Sequence, residues 1–292
     1  MSKAILDMPR RTVQHAKVLS RHQHVCNIAV VADRHANTAP AQIIALTDGE
    51  IGIGPLNIVV DTMFSVRSFG ERDDIVRITD DHIQIGENDI SLLDAVVWDP
   101  RPDWQRLRAA CELSAQRLDW MLDVGRRKAP PGSLLDLQSS ISLRPGPDSF
   151  AKDLFDVFST ILRNMETEGP RSLQDGAASL TGLGNGLTPA GDDFLLGIML
   201  FTWLRCDSAT TICQPLARAA EQRTTRLSAC LLSQAAVGNC STHWHSFFAS
   251  IAANDAVVIE QNIGTLLSYG HTSGADALAG FIWAGCHEHI IV

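Results

Sequence analysis

The sequence has no lysine- or arginine-rich run, and its net charge is −9. Binding a phosphate backbone needs concentrated positive charge, so a nucleic-acid surface is disfavoured. There is no C-x-x-C pair either. Cys26, Cys111, Cys206, Cys213, Cys230, Cys240 and Cys286 are scattered and odd in number, which argues against a disulfide framework and for reduced thiols in the cytoplasm. No apolar run approaches the ~20 residues that cross a bilayer. The longest, Phe194 to Leu204, reads as a fully buried core helix, so no membrane association is expected. "MSKAILDMPRRTVQHAK" lacks the apolar stretch of a secretory signal. No G-x-x-x-x-G-K-[ST] loop and no Ser-His-Asp spacing is present. What remains, at 45% apolar and 20% charged over 292 residues, is an ordinary globular composition sufficient for one large or two modest domains.

The chain changes texture partway. From about Val18 to Trp98 it reads as short runs rich in Val and Ile, "HVCNIAVVAD", "AQIIALTDG", "LNIVVD", "DIVRITDDHIQIG" and "DAVVWDP". Turn residues punctuate them at Asp48-Gly49, Gly54-Pro55 and Gly86–Asp89, which suggests antiparallel strands in a sandwich or barrel. After "DPRPDW" the spacing turns helical: Leu107, Cys111, Leu118 and Leu122 share a face, and Gly125 fits a helix stop. A Pro/Gly/Ser-rich connection follows. Further helices are expected from Phe150 to about Asn164 (capped by Ser149), from Asp192 to Arg205, from Pro215 to about Val237, from Ala256 to about Ser268 and from Ser273 onward. The expected fold is α+β, with an antiparallel β-rich domain over residues 1–100 and a mainly α-helical domain over 101–292.

Two similar stretches lie in the helical part. "GLTPAGDDFLLG", Gly186 to Gly197, and "GHTSGADALAG", Gly270 to Gly280, both begin Gly-x-Thr and end Asp-x-Leu-x-Gly. Thr188 fits an N-cap with Pro189 at the first helical position, and Ser273 and Asp276 have capping-box spacing. Gly197 and Gly280 sit one turn inside their helices, where glycine is costly unless another helix comes close. The two helices are therefore expected to cross at these glycines and bring both N-termini to one site. Such a site suits phosphate or carboxylate. Its candidate binding residues are Gly184, Asn185, Gly186, Thr188, Gly191, Thr272, Ser273 and Gly274. Asp192, Asp193 and Asp276 either satisfy the helix dipoles or hold Mg²⁺, with Asp192 and Asp193 the candidate ligands. His271, inside the second loop, either donates to an oxyanion and carries a proton or is a plain polar loop residue.

Other features weigh less. "GLGNG" lacks the preceding strand of a dinucleotide fingerprint. His243 and His245 with nearby Cys240 could be zinc ligands, but such alternation more often marks a loop or partly buried surface. "HEH", His287 to His289, reads as an exposed helix end. Arg223 and Arg226, one turn apart, could clamp a carboxylate or form a solvated face.

The two glycine stretches also carry a family likeness. "GLGNGLTPAGDDFLLG" followed by "GHTSGADALAG" resembles the signature of a family of uncharacterised bacterial proteins that includes a subunit of oxamate carbamoyltransferase, from anaerobic allantoin degradation. The resemblance implies carbamoyl transfer between oxalurate and phosphate, giving oxamate and carbamoyl phosphate, within an assembly of several subunits. It implies anion binding by Gly184 to Thr188 and Thr272 to Gly274. His271 would polarise a carbonyl or move a proton, and Asp193 and Asp276 would assist. The alternative is a non-catalytic subunit whose loops bind a carboxylate or phosphate for regulation.

Overall fold

Ile75–Ile78 and His82–Ile85 alternate outward and buried side chains, the period of strands with one face on a core. They belong to a seven-stranded sheet in the computed structural model, which describes residues 1–7, 14–30, 42–60, 66, 69, 71, 74–139 and 170–291. The chain forms two compact units, Met1–Pro100 and Arg101–Val292. In the first, β1 (Gln14–Arg21), β2 (Val25–Val30), β3 (Gln42–Thr47), β4 (Asn57–Val59), β5 (Ile75–Ile78), β6 (His82–Ile85) and β7 (Asn88–Ser91) lie in the order β4-β3-β2-β1-β5-β6-β7. A short helix, α1 (Lys3–Leu6), precedes them and is capped by the Ser2 hydroxyl. Val18, Cys26, Ile28, Leu46, Val76, Ile83 and Ile85 form the core against this sheet.

Two expectations for this unit need correction. The sheet is mixed: β3 and β4 pair in parallel, because Asp48–Leu56 turns through Gly49 and Gly52 at positive φ and returns the chain in the same direction. "DAVVWDP" forms no strand. The chain turns just after β7, where the Ala95 amide donates to the Leu92 carbonyl, and Leu93, Val96 and Val97 point outward. Only Trp98 makes a single bridge, to Ser2.

The second unit is helical, and overall the protein is α+β. Its described helices are α2 (Trp104–Ala110), α3 (Ala115–Lys128), α4 (Leu134–Ser139), α5 (Pro170–Leu180), α6 (Ala190–Arg205), α7 (Ala209–Ala220), α8 (Arg226–Ala236), α9 (Thr242–Ala252), α10 (Ala256–Leu267), α11 (Ser273–Cys286) and α12 (Glu288–Ile291). The helix expected over 150–164 lies outside the described residues. The stretch expected as one helix from Trp104 is two, broken where the Ser114 hydroxyl caps α3 by accepting from the Arg117 amide. Gly125 does not stop α3; it is buried within it, against Leu135 and Leu278. The stretch 215–237 also divides. α7 ends at Ala220, and the Thr225 hydroxyl caps α8 by accepting from the Ser228 amide.

α6 and α11 are buried on every side along most of their length, which explains the uniform oiliness of Phe194 to Leu204. Among the described residues, no helix is long and apolar enough to cross a membrane. An aromatic cluster of Trp104, Trp203, Trp244, Phe247, Phe248 and Phe281 packs beside them, with ring centroids 5.2–5.9 Å apart.

Candidate functional site at two helix N-termini

Glycine decides how α6 and α11 meet. A Cβ on Gly197 would lie 1.9 Å from the Ala277 carbonyl oxygen, and one on Gly280 would lie 2.0 Å from that of Phe194. Any side chain would force the backbones apart, so the crossing expected at these glycines is present. It brings the loops ahead of both helices into contact: the Thr188 and Ser273 hydroxyls are hydrogen-bonded at 2.8 Å.

The caps differ from expectation. Pro189 is the N-cap of α6 and Thr272 that of α11, and neither helix has a side-chain cap bond. The Thr188 and Ser273 hydroxyls bond each other across the loops and also lie against the Asp193 carboxyl group. In the first loop Gly184 and Gly186 take φ of 112° and 95°, and in the second Gly270 takes 65°. Asn185, Gly186 and His271 are exposed, while Gly191 and Gly274 are buried under the last turns of α5 and α10. The amides of Gly184, Asn185, Gly186, Leu187 and Thr188 have no partner among the described residues. That run of N–H groups lies ahead of the positive end of α6, a position where backbone amides can meet an anion.

The three acids have separate fates. Asp192 is 1% exposed and fully engaged. Its Oδ1 accepts from the Gly182 amide at 3.0 Å, and its Oδ2 accepts from the hydroxyls of Ser228, at 2.8 Å, and Thr224. It therefore ties the backbone just ahead of the first loop to the start of α8. Asp193 is 6% exposed. The Ser273 and Thr188 hydroxyls lie beside its carboxyl group, yet Oδ2 has no partner among the described residues. Burial, with Asp276 and Asp192 near, holds its pKa well above the usual carboxylate range. Asp276 is 1% exposed; its Oδ1 accepts from the Leu134 amide at 2.7 Å, and its Oδ2 is likewise without a partner. Burial pushes its pKa up to about 6, against the lowering effects of the Leu134 amide, the Thr272 hydroxyl and His271.

Two neighbours were not expected. Tyr269, the chain's one tyrosine, lies just before Gly270, and its carbonyl accepts from the Gly274 amide at 3.2 Å. Burial and the nearby Asp193 raise its phenol pKa, so it holds its proton. His243 packs edge-on against the Tyr269 ring at 5.5 Å. Burial lowers its pKa, and Nδ1 has no partner among the described residues. His243 and His245 lie on α9, not in a loop. Among the described residues no three His, Cys, Asp or Glu side chains converge as a metal cage, and none of the seven cysteines is in a disulfide. Arg223 lies in the break before α8 and donates to the Ala178 carbonyl at 2.9 Å, and Arg226 is the first residue of α8.

No solved structure matches the chain. A family model described as "Oxamate carbamoyltransferase subunit AllH" matches residues 180–285, which hold both glycine loops and the acids behind them, and this is the family that the two motifs resemble.

Proposed function

We propose that this chain is a subunit of an oxamate carbamoyltransferase assembly and that its paired loops bind the small anionic substrates. The observation that supports the reading is the Thr188–Ser273 hydrogen bond, which joins the two glycine loops beside a run of amides without partners among the described residues. In the transfer, a phosphate oxygen attacks the terminal carbamoyl carbon of oxalurate. The bond from that carbon to the inner nitrogen breaks, the nitrogen gains a proton, and oxamate and carbamoyl phosphate leave. Negative charge builds on the carbonyl oxygen during attack, and fixed N–H donors stabilise it there. Gly184, Asn185, Gly186, Thr188 and Gly191 on one side, with Thr272, Ser273 and Gly274 on the other, form the anion-binding loops. His271, exposed at the rim, polarises the carbonyl or moves a proton. Asp193 and Asp276 lie beneath the loops as the proton-carrying groups. The "subunit" in the family's name supports a role for partner chains in turnover.

Thermal stability measured with phosphate, oxamate and oxalurate tests the binding half of this reading. Each true ligand stabilises the protein in proportion to RT ln(1 + [L]/Kd). No response to any of the three, alone or in the assembled complex, contradicts it.

A further inference from the structure

Tyr269 and His243 have no part in the reading above, yet both side chains stand at the second loop. Tyr269 is fixed at the loop's entrance. Its amide donates to the Leu266 carbonyl at 3.1 Å, and its carbonyl accepts from the Gly274 amide at 3.2 Å. Glycine makes that closure feasible: a Cβ on Gly274 would lie 1.7 Å from the Leu266 carbonyl oxygen and 3.3 Å from that of Tyr269. The loop therefore closes tightly on the Tyr269 backbone.

The ring is held from one side. His243, in the first turn of α9, meets it edge-on, with centroids 5.5 Å apart and planes at 69°. On the other hand the phenol is near enough to Asp193 for the two groups to act on each other electrostatically. The Thr188 and Ser273 hydroxyls lie beside that same carboxyl group, and their mutual bond is what joins the loops. The phenol thus stands at the junction of the two loops. Its oxygen differs from the other idle polar atoms here. Asp193 Oδ2, Asp276 Oδ2 and His243 Nδ1 are sealed without partners, and nothing can reach them. Tyr269 is half-buried, and its phenol oxygen is not sealed. It makes no hydrogen bond to the described residues. A packed tyrosine ordinarily finds a partner for its hydroxyl. The junction therefore holds an O–H donor that the described residues leave unused.

We propose that Tyr269 is a further substrate-contacting residue, whose phenol O–H donates a hydrogen bond to a carboxylate or phosphoryl oxygen of the small anion held by the loops, with His243 as the positioning residue that braces its ring. This rests on the anion-binding reading above. A braced ring fixes the direction of its O–H before the ligand arrives, so little side-chain freedom is lost on binding. A neutral donor also adds a bond without another charge beside the buried acids.

The full chain labelled with 3-fluorotyrosine tests this, because Tyr269 is the one tyrosine and gives a single fluorine resonance. Titration with phosphate, and separately with oxamate, should move that line in step with the binding curve from calorimetry. Tyr269→Phe keeps the ring and loses no bond to the described residues, so it should melt with the wild type. It should nevertheless bind both anions at least about tenfold more weakly, the loss of one hydrogen bond to a charged acceptor. His243→Ala should weaken binding by leaving the ring unbraced, and His243→Phe, which restores an edge-on contact, should recover it. A fluorine line that stays still while calorimetry records binding, or wild-type affinity in Tyr269→Phe, overturns the assignment and leaves the loop site standing. Wild-type affinity in His243→Ala, or no recovery in His243→Phe, removes the bracing role. Absence of binding by both phosphate and oxamate to the wild type removes the anion-binding reading and this inference with it.

Discussion

Replacing Asp276 with asparagine should stabilise the protein, and only above a defined pH. The side chain is 1% exposed, and its Oδ1 accepts from the Leu134 amide, a bond that an asparagine oxygen can keep. Oδ2 has no partner to lose. In the unfolded chain the carboxyl returns to its ordinary value of 3.8, whereas in the fold it stands at about 6. Between these values the folded state holds the proton more tightly, so stability falls as pH rises from about 4 to 6 and then levels off. A rise of about two units corresponds to about 3 kcal/mol. Asparagine does not titrate. The variant should therefore match the wild type near pH 4 and exceed it by about 3 kcal/mol at pH 7, roughly 6–12 °C in melting temperature for a unit of this size. Urea unfolding at a series of pH values reads this directly. Parallel stability curves for the two proteins, or a variant that is weaker at pH 7, would refute the placement of Asp276 as a buried, half-satisfied acid.

Other consequences follow from the packing. Gly197→Ala and Gly280→Ala place a Cβ within 1.9 and 2.0 Å of a carbonyl oxygen, and each should cost at least about 3 kcal/mol in denaturant unfolding. Gly264→Ala, on α10 with nothing within 4 Å, should instead stabilise by about 0.5–1 kcal/mol and serves as the control. Asp192→Ala strands the Gly182 amide and the Thr224 and Ser228 hydroxyls, for a loss on the order of 3 kcal/mol at neutral pH, measured the same way. Thr188→Val breaks the bond between the loops at a cost of about 1 kcal/mol in stability, and calorimetry should show phosphate binding weakened with it.

The features legible in the sequence were those written in small residues and uniform texture. Glycines at matched places in two helices are unfavourable unless something fits against them, and Gly197 and Gly280 indeed receive each other's helix. The change of texture at Asp99 to Trp104 falls between the last described strand, β7, and the first helix of the helical part, α2. What escaped was set by distant partners. The caps assigned to Thr188 and Ser273 fit local spacing, but the hydroxyls bond each other across 85 residues of chain. The role of Asp192 depends on Thr224 and Ser228, which no local pattern connects to it. "HWH" looks like alternation, yet Trp244, Phe247, Phe248 and Ile251 repeat at helical spacing and bury one face of α9; that period was the signal to follow. Tyr269 stood beside a glycine loop without a motif of its own. The run Ala95 to Val97 read as strand because Val favours strands, but no strand among the described residues pairs with it.

The central claim, that the first glycine loop holds the reacting anion, is tested most directly at Gly186. A side chain there meets nothing within 4 Å and strains the backbone only through its φ of 95°, so Gly186→Trp fills the loop mouth while sparing the core. Phosphate-dependent cleavage of oxalurate by the assembled subunits should be lost with this variant while its unfolding stays cooperative; turnover at the wild-type rate would contradict the account.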